Sequence, residues 1–494
     1  MTKRLSNRYG KIMILFGILI MVPMVVVFFD NSQIKYLYSF ILPGVISIIL
    51  GVLICKDFKK AENNSIFSAN LKNSTMLVLF SWFYCFLLGA LPLWLGGQLN
   101  PIQALFESVS GYTTTGLTVV IPSQTPLIYL AHQIFMQYCG GFGVVLMFIM
   151  IIKDQSAVTL YTAEGHQDKL LPNIQKTARL IFITYNLLII IGTGGFYILG
   201  MDVFDALCNS ITSLFTAGYS IKDIGISYYN STAVYLFSMI LMILGSINTG
   251  VLLMIFQGKF KIVKKITELK FMFFLIVLLG SISTVVLWFS SNLGFFNSIL
   301  TGFYNVISSL STTGNYNYDI RILPPFVLQV MIICMLLGGC AGSTTGGLKL
   351  SRIVILLKTM YNSLIMKTSS SRRVLSISWN TASGKKIIEN ETIKETISYI
   401  GFYFLVMLIG ANLLTITANC SLMEGFFEFA SALSSFGVTI GITGPNTNNL
   451  TLIVEMIGMI LGRLEIYILL IGGNYFYKAI SKKIKYQIEQ KKNI

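Results

Sequence analysis

Apolar runs long enough to cross a bilayer recur along nearly the whole chain, at about 12–29, 36–55, 75–95, 128–152, 178–200, 232–256, 271–291, 325–358, 393–416 and 451–477. Roughly 20 apolar residues carry a helix through hydrocarbon. Backbone amides there need internal partners, which helices supply. Charged residues are 11% of the 494 residues, against about 25% in a soluble domain. The expected fold class is therefore an all-α integral membrane protein with ten transmembrane spans. The first run follows Lys3, Arg4, Arg8 and Lys11. It exceeds the apolar stretch of a signal peptide and no small-x-small cleavage site follows it, so we expect it to be retained.

The formal charge of +16 does not point to nucleic acid, because the basic residues sit in short loops between apolar runs. With a cytosolic N-terminus and ten alternating spans, 32 of the 36 Lys and Arg fall inside. Lys35, Lys222 and Arg321 fall outside, and Arg463 lies within the last run. This asymmetry follows the positive-inside rule and places both termini in the cytosol. The seven Cys form no CxxC, and the two His, His132 and His166, are far apart. No disulfide framework or transition-metal site is expected. No HExxH, GxSxG or paired-Asp signature occurs in a span, so we do not expect an enzyme.

Four shorter, semi-polar segments lie between spans three and four, five and six, seven and eight, and nine and ten. They align on a glycine: FESVSGYTTTGLT (106–118), CNSITSLFTAGYS (208–220), YNVISSLSTTGNY (304–316) and FEFASALSSFGVT (427–439). Six residues before it stand Ser110, Thr212, Ser308 and Ser431, and two before it Thr114, Thr216, Thr312 and Ser435. Nine before it stand Glu107, Asn209, Asn305 and Glu428. One [ST]-x-G carries little information, and small residues also promote close helix packing. Four in register predict four re-entrant pore loops. Each would be a short helix aiming its C-terminal dipole at an ion path, followed by an extended filter strand. Backbone carbonyls replace the water of a dehydrating cation, and glycine lets that backbone turn inward. The candidate cation-binding residues are Thr114, Thr115 and Gly116; Thr216, Ala217 and Gly218; Thr312, Thr313 and Gly314; and Ser435, Phe436 and Gly437. Asp202, Asp205, Asp223, Asp319 and Glu424 on the outer side would make a mildly acidic vestibule that concentrates cations.

The motifs SGYTTTGLT, TAGYS, STTGN, GGCAGSTTGGLKLSR and GRLEIY together resemble the Trk/Ktr/HKT superfamily of K⁺ uptake proteins. The likeness extends over nearly the whole chain. The N-terminal hairpin preceding the four units is similar to the TrkH branch. The resemblance implies an N-terminal hairpin (1–72) and four M1–pore loop–M2 repeats around a pseudo-fourfold pathway. They would occupy 73–176, 177–265, 266–390 and 391–494. It also implies a homodimer in the cytoplasmic membrane, K⁺ as the only bound ion with no covalent cofactor, and gating by a cytosolic TrkA-like nucleotide-binding subunit. The basic tail Lys478–Lys492 is one place where such a subunit would dock; meeting anionic lipid is another use for it.

Two further features carry over by position. Five glycines within Gly338–Gly347 cannot hold a stable helix. In similar proteins this stretch is an intramembrane loop across the ion path, which makes Gly342, Ser343, Thr344, Thr345 and Gly346 gating residues. Leu348 stands where a phosphate-binding loop needs lysine, so nucleotide binding there is excluded. A charge in mid-membrane, as at Arg463, costs roughly 2.5–3.5 kcal/mol and marks a functional position. In similar proteins an arginine here is an electrostatic barrier below the filter; a structural ion pair with Glu455, Glu465 or another acid is the alternative. His132-Gln133 stands where relatives commonly have Trp-Arg, and Phe436 where they often have a smaller residue. Glycine at all four filter positions favours K⁺. The alternatives are a mixed K⁺/Na⁺ channel, or a Na⁺- or H⁺-coupled K⁺ symporter with Glu107, Glu428 or Glu455 as titrating acid.

Overall fold

The computed structural model describes residues 2–59, 71–143, 146, 147, 149, 174–368, 377–381, 384–464, 466, 467, 469, 470 and 472–474. Glu465 and the basic tail Lys478–Lys492 lie outside the described residues. Apart from one antiparallel hairpin pairing Ser378–Thr381 with Gly384–Ile387, regular structure here is helical. The hairpin was not foreseen from the sequence.

Among the described residues, six stretches are long and apolar enough to span a membrane: Asn7–Phe28, Asn31–Cys55, Thr75–Leu95, Gln175–Ile198, Thr267–Ser290 and Asn390–Ala418. Their surfaces are inverted relative to a soluble protein. Ile190, Phe274 and Val277 are more than half exposed, while Ser283, Thr284 and Thr396 of the same set of spans are buried. Such polarity fits a lipid solvent outside and packed polar contacts within. The first two spans approach closely because glycines face glycines. A Cβ on Gly51 would lie 2.6 Å from Gly10 O, and one on Gly17 would lie 2.8 Å from Gly44 O.

The other four expected spans, each following a re-entrant segment, are shorter or interrupted among the described residues. Leu127–Phe142 stops at Gly143, whose φ is 82°. Pro325–Leu337 gives way to the glycine-rich stretch before Leu350–Thr368 begins. Asn449–Arg463 is the fourth. The expected continuous span at 232–256 is two helices, Thr232–Ser246 and Thr249–Phe256, bent by 116°. At the bend Asn248 caps the second helix by accepting from Gly250 N, and its Nδ2 donates to Ala341 O at 2.6 Å. Cys340 N also donates to Ser246 O at 3.0 Å. Helix ends leave unpaired backbone groups, and here the glycine-rich stretch supplies the partners. Counting the bent pair as one gives at most seven long spans.

Candidate functional site

The re-entrant helices are Pro101–Tyr112, Val203–Leu214, Phe295–Leu310 and Leu422–Ser434. The first and last begin with capping boxes, Asn100 with Gln103 and Ser421 with Glu424, which satisfy the orphan amides of the first turn. All four end alike. The amide of the residue before the glycine donates to the carbonyl six before it: Thr115 to Ser110, Ala217 to Thr212, Thr313 to Ser308 and Phe436 to Ser431, at 2.9–3.0 Å. This bond spans one residue more than an α-helical bond and closes the last turn.

The next turn is left-handed in each case. Thr114, Thr216, Thr312 and Ser435 have φ of 55°, 50°, 52° and 57°. Gly116, Gly218, Gly314 and Gly437 follow at 94°, 75°, 83° and 83°. The intervening Thr115, Ala217, Thr313 and Phe436 are not among the positive-φ residues. The sign of φ thus alternates over three residues, which an ordinary strand does not do.

These backbones close on one another in order. A Cβ on Gly116 would meet Ala217 O, and one on Gly218 would lie 2.7 Å from Thr313 O. One on Gly314 would meet Phe436 O, and one on Gly437 would meet Thr115 O. The structure therefore brings the twelve residues singled out from sequence to one place, with each segment against the next and the fourth against the first. The middle side chains are turned aside. Thr115 Oγ1 pairs with Thr113 Oγ1 at 2.8 Å, Thr313 Oγ1 with Ser311 Oγ at 2.7 Å, and Phe436 is buried in the apolar core. Ala217 O also accepts from Gln137 Nε2, a partner the sequence did not mark.

The Gly338–Gly347 stretch is packed against this ring. Gly346 N donates to Thr312 Oγ1 at 2.8 Å, and a Cβ on Gly346 would meet Ser434 O. Thr344 Oγ1 lies 3.1 Å from both Thr216 Oγ1 and Gly245 O, and 3.2 Å from Leu214 O. Thr345 Oγ1 accepts from Gly339 N at 3.2 Å and from Lys349 Nζ at 3.1 Å. Ser343 Oγ is 2.8 Å from Thr345 Oγ1, and Gly342 O faces Thr249 N at 3.4 Å. On the far side of the stretch lies a cavity of about 530 Å³, lined by Asn248, Gly342–Gly347, Lys349, Arg352, Tyr399 and Arg463 among others. Arg463 Nη2 donates to Gly140 O at 2.6 Å, and its guanidinium lies 5.9 Å from the Trp82 ring centre. Glu455 does not take up Arg463; its Oε1 is 2.8 Å from Thr443 Oγ1. At the unusual dipeptide, His132 Nε2 meets Gly89 O at 2.9 Å and Gln133 Nε2 donates to Glu107 Oε2 at 2.6 Å. At the outer rim, Lys222 pairs with Asp205 at 3.1 Å and Arg321 with Asp319 at 2.8 Å. Two of the expected vestibule acids are thus partly neutralised.

A family model described as TrkH, cation transport protein, matches residues 39–473. The chain is 28% identical over 489 residues to the Trk system potassium uptake protein TrkG of Escherichia coli (strain K12), covering 96% of this chain and 98% of that protein. It is 27% identical over 413 residues to the Trk system potassium uptake protein TrkH of the same strain, covering 80% and 84%. The crystal structure of the potassium transporter TrkH from Vibrio parahaemolyticus superposes with a TM-score of 0.82 at 23% identity, covering 95% of this chain and 98% of that one.

Proposed function

The chain belongs to the TrkH family of cation transport proteins, and on that footing we propose that it carries K⁺ into the cell through a filter made by its four glycine-centred segments. The observation that carries this is the closed circuit of contacts from Gly116 through Ala217, Thr313, Phe436 and back to Thr115. A circuit of backbone carbonyls is what a dehydrating cation needs. The names of the relatives, potassium uptake proteins, favour K⁺ as the ion. The repeats would occupy 73–176, 177–265, 266–390 and 391–494 after the hairpin 1–72, with ten membrane passages in all. Four of those passages are made by the short or broken helices.

Below the filter, Gly342–Gly346 form the gate and Arg463 adds a positive barrier in the inner cavity. Hydrogen bonds from the loop to Thr216 and Thr312 support a closed state in which the loop holds the filter from beneath. The protein would sit in the cytoplasmic membrane with both termini inside. It would work as a homodimer and receive its opening signal from a cytosolic nucleotide-binding subunit.

The test is uptake of radiolabelled Rb⁺ into proteoliposomes holding the purified protein, with K⁺ or Na⁺ as competitor. K⁺ is expected to compete and Na⁺ to compete poorly. Equal competition by both ions would remove the K⁺ filter. Repeating the assay with an imposed pH gradient separates conduction from coupling, since H⁺-coupled transport would respond to the proton gradient at fixed membrane potential.

A further inference from the structure

Two buried carboxylates stand directly behind the ring, and only two of the four segments have them. Glu107 and Glu428 occupy the position nine before the glycine in the first and fourth segments; Asn209 and Asn305 occupy it in the second and third. Both Glu side chains are wholly buried. Both reach forward to the strand leaving the filter, at the same register. Glu107 Oε1 accepts from Val119 N at 2.6 Å and from Thr118 Oγ1 at 2.8 Å. Glu428 Oε2 accepts from Ile440 N at 3.1 Å. Thr118 and Thr439 stand two residues past their glycines, Val119 and Ile440 three past. The second and third segments have Ser220 and Tyr316 in place of that threonine. Their asparagines do not make the connection. Asn209 Nδ2 turns back to Asp205 O at 2.8 Å, and neither amide atom of Asn305 has a hydrogen-bond partner among the described residues.

Donor counts fix the charge. Glu107 has three donors of its own, Thr118, Val119 and Gln133 at 2.6 Å, and Tyr219 shares a single proton between Glu107 Oε2 at 2.8 Å and Glu107 O at 2.9 Å. A carboxylate accepts about four bonds and gives none, so three unshared donors and the shared Tyr219 hydroxyl suit Glu107 as an anion. Tyr219 follows Gly218 in sequence, so this anion also ties the first segment to the second. Glu428 receives Ile440 N, Thr443 N at 3.1 Å and Thr443 Oγ1 at 2.5 Å. The same Thr443 hydroxyl lies 2.8 Å from Glu455 Oε1. A hydroxyl has one proton to give. Having given it to Glu428, which backbone amides already hold as an acceptor, Thr443 must accept from Glu455. Glu455 Oε2 has no hydrogen-bond partner among the described residues, which fits a neutral acid whose proton sits on Oε1. At this position the first and fourth segments thus each keep one buried negative charge, and the second and third, with asparagine there, keep none.

We infer that Glu107 and Glu428 are positioning residues for ion selectivity: fixed anions that hold the outgoing backbone of the first and fourth filter segments, with Glu455 serving as the neutral acid that completes the second clamp. The inference rests on the filter assignment above. A buried anion bonded to amides holds a strand more firmly than a neutral amide side chain does. It also lends the pathway negative potential on one side.

The experiment is Rb⁺ uptake by the full-length protein in proteoliposomes, competed by K⁺ and by Na⁺, for the parent and for Glu107→Gln, Glu428→Gln and Glu455→Gln. A glutamine at 107 or 428 turns a donor toward a donor already present. K⁺-over-Na⁺ discrimination is expected to fall about tenfold, the size of one lost charge-assisted bond. Glutamine at 455 supplies an N–H where the acid supplied O–H, so discrimination should stay within about twofold of the parent. A merely structural role would lower the uptake of both ions together and leave their ratio unchanged. Unchanged ratios in Glu107→Gln and Glu428→Gln, or equal losses in Glu455→Gln and Glu428→Gln, would overturn the assignment. Should a glutamine variant not fold, Thr118→Val and Thr443→Val each remove one donor and should lower discrimination by about threefold; no change in either overturns it equally. A parent that fails to prefer K⁺ would instead remove the filter itself, and this inference with it.

Discussion

Serine at position 116 gives the sharpest test of the ring. Gly116 has φ of +94°, and a Cβ there would meet Ala217 O while lying 2.9 Å from Gly218 C and 3.0 Å from Gly218 Cα. Every one of these obstacles is backbone, so no side chain can swing aside to make room. A non-glycine residue in this region of φ costs on the order of 1–3 kcal/mol. The remaining strain is relieved only if the second segment moves outward, and with it the Ala217 carbonyl. Each 1.4 kcal/mol of differential binding is about tenfold in selectivity, so Gly116→Ser should reduce K⁺-over-Na⁺ discrimination by about tenfold or more. Gly401→Ser is the control, because a Cβ on Gly401 meets nothing within 4 Å. The assay is Rb⁺ uptake with K⁺ and Na⁺ competition, on variants shown to be monodisperse in detergent. Discrimination unaltered in Gly116→Ser, or lost equally in Gly401→Ser, would refute the reasoning.

Three other outcomes follow from the contacts below and above the ring. Thr344→Val keeps the shape of the side chain but removes the hydroxyl that meets Leu214 O, Gly245 O and Thr216 Oγ1. At about 0.5–1.5 kcal/mol per bond, the loop should open more readily and K⁺ flux without any partner should rise; unchanged flux argues against a gate. Arg463→Ala removes a cation from the inner cavity together with its bond to Gly140 O, and should raise K⁺ flux at a given driving force, read in the same vesicles. At the outer rim, the Arg321 side chain holds the Asp319 carboxyl below its usual range. The pair's contribution is therefore present above the unfolded Asp value near 3.9 and lost as pH falls through the lowered one. Because both groups are exposed, Asp319→Asn should cost under about 1 kcal/mol at neutral pH, with a melting-temperature difference that vanishes in acid.

The long spans were legible because hydropathy alone determines them. The expected runs 75–95, 178–200, 271–291 and 393–416 match helices at Thr75–Leu95, Gln175–Ile198, Thr267–Ser290 and Asn390–Ala418 within a few residues. The shared register of the four glycine-centred segments was legible because four copies of one pattern check each other inside one chain. The bend at Asn248 was not. One asparagine in an apolar run barely changes hydropathy, and the partner that makes the break tolerable, Ala341 O, lies 93 residues away in sequence. Gln133 and Gln137 were missed as contributors for a similar reason. Their partners, Glu107 and the Ala217 carbonyl, are set by how two helices pack, and no local pattern records that. The glutamates themselves were visible as a repeated position, but the division of labour between Glu428 and Glu455 depends on Thr443 lying between them.

The strain at the filter explains why so much of the surrounding chain is committed to it. Left-handed backbone costs roughly 1–2 kcal/mol for a residue with a Cβ, and β-branched residues are rarely found there. Three threonines and a serine nonetheless adopt it, each two residues before a filter glycine. An isolated loop would relax. What prevents this differs by level around each turn. The amide-to-carbonyl bond of the next residue anchors its start, as in Phe436 to Ser431. The glutamate clamps hold the outgoing strand of the first and fourth segments. The glycine-rich stretch supports the second and third from beneath, through Thr344 to Thr216 and Gly346 to Thr312. The first and fourth segments thus take their carboxylate bonds from one side and the second and third their loop hydrogen bonds from the other, while Tyr219 also bonds Glu107 and Gly346 also packs on Ser434. Only the lower support is part of the stretch proposed as the gate. Opening the gate would therefore release Thr216 and Thr312 from their partners while Gly116 and Gly437 stay clamped. The second and third segments should then be the ones whose filter geometry depends on the gate. Thr344→Val provides the measurement: if the loop supports the filter, raised flux should come with lowered K⁺-over-Na⁺ discrimination, whereas raised flux at unchanged discrimination would mean that the upper clamps alone hold the ring.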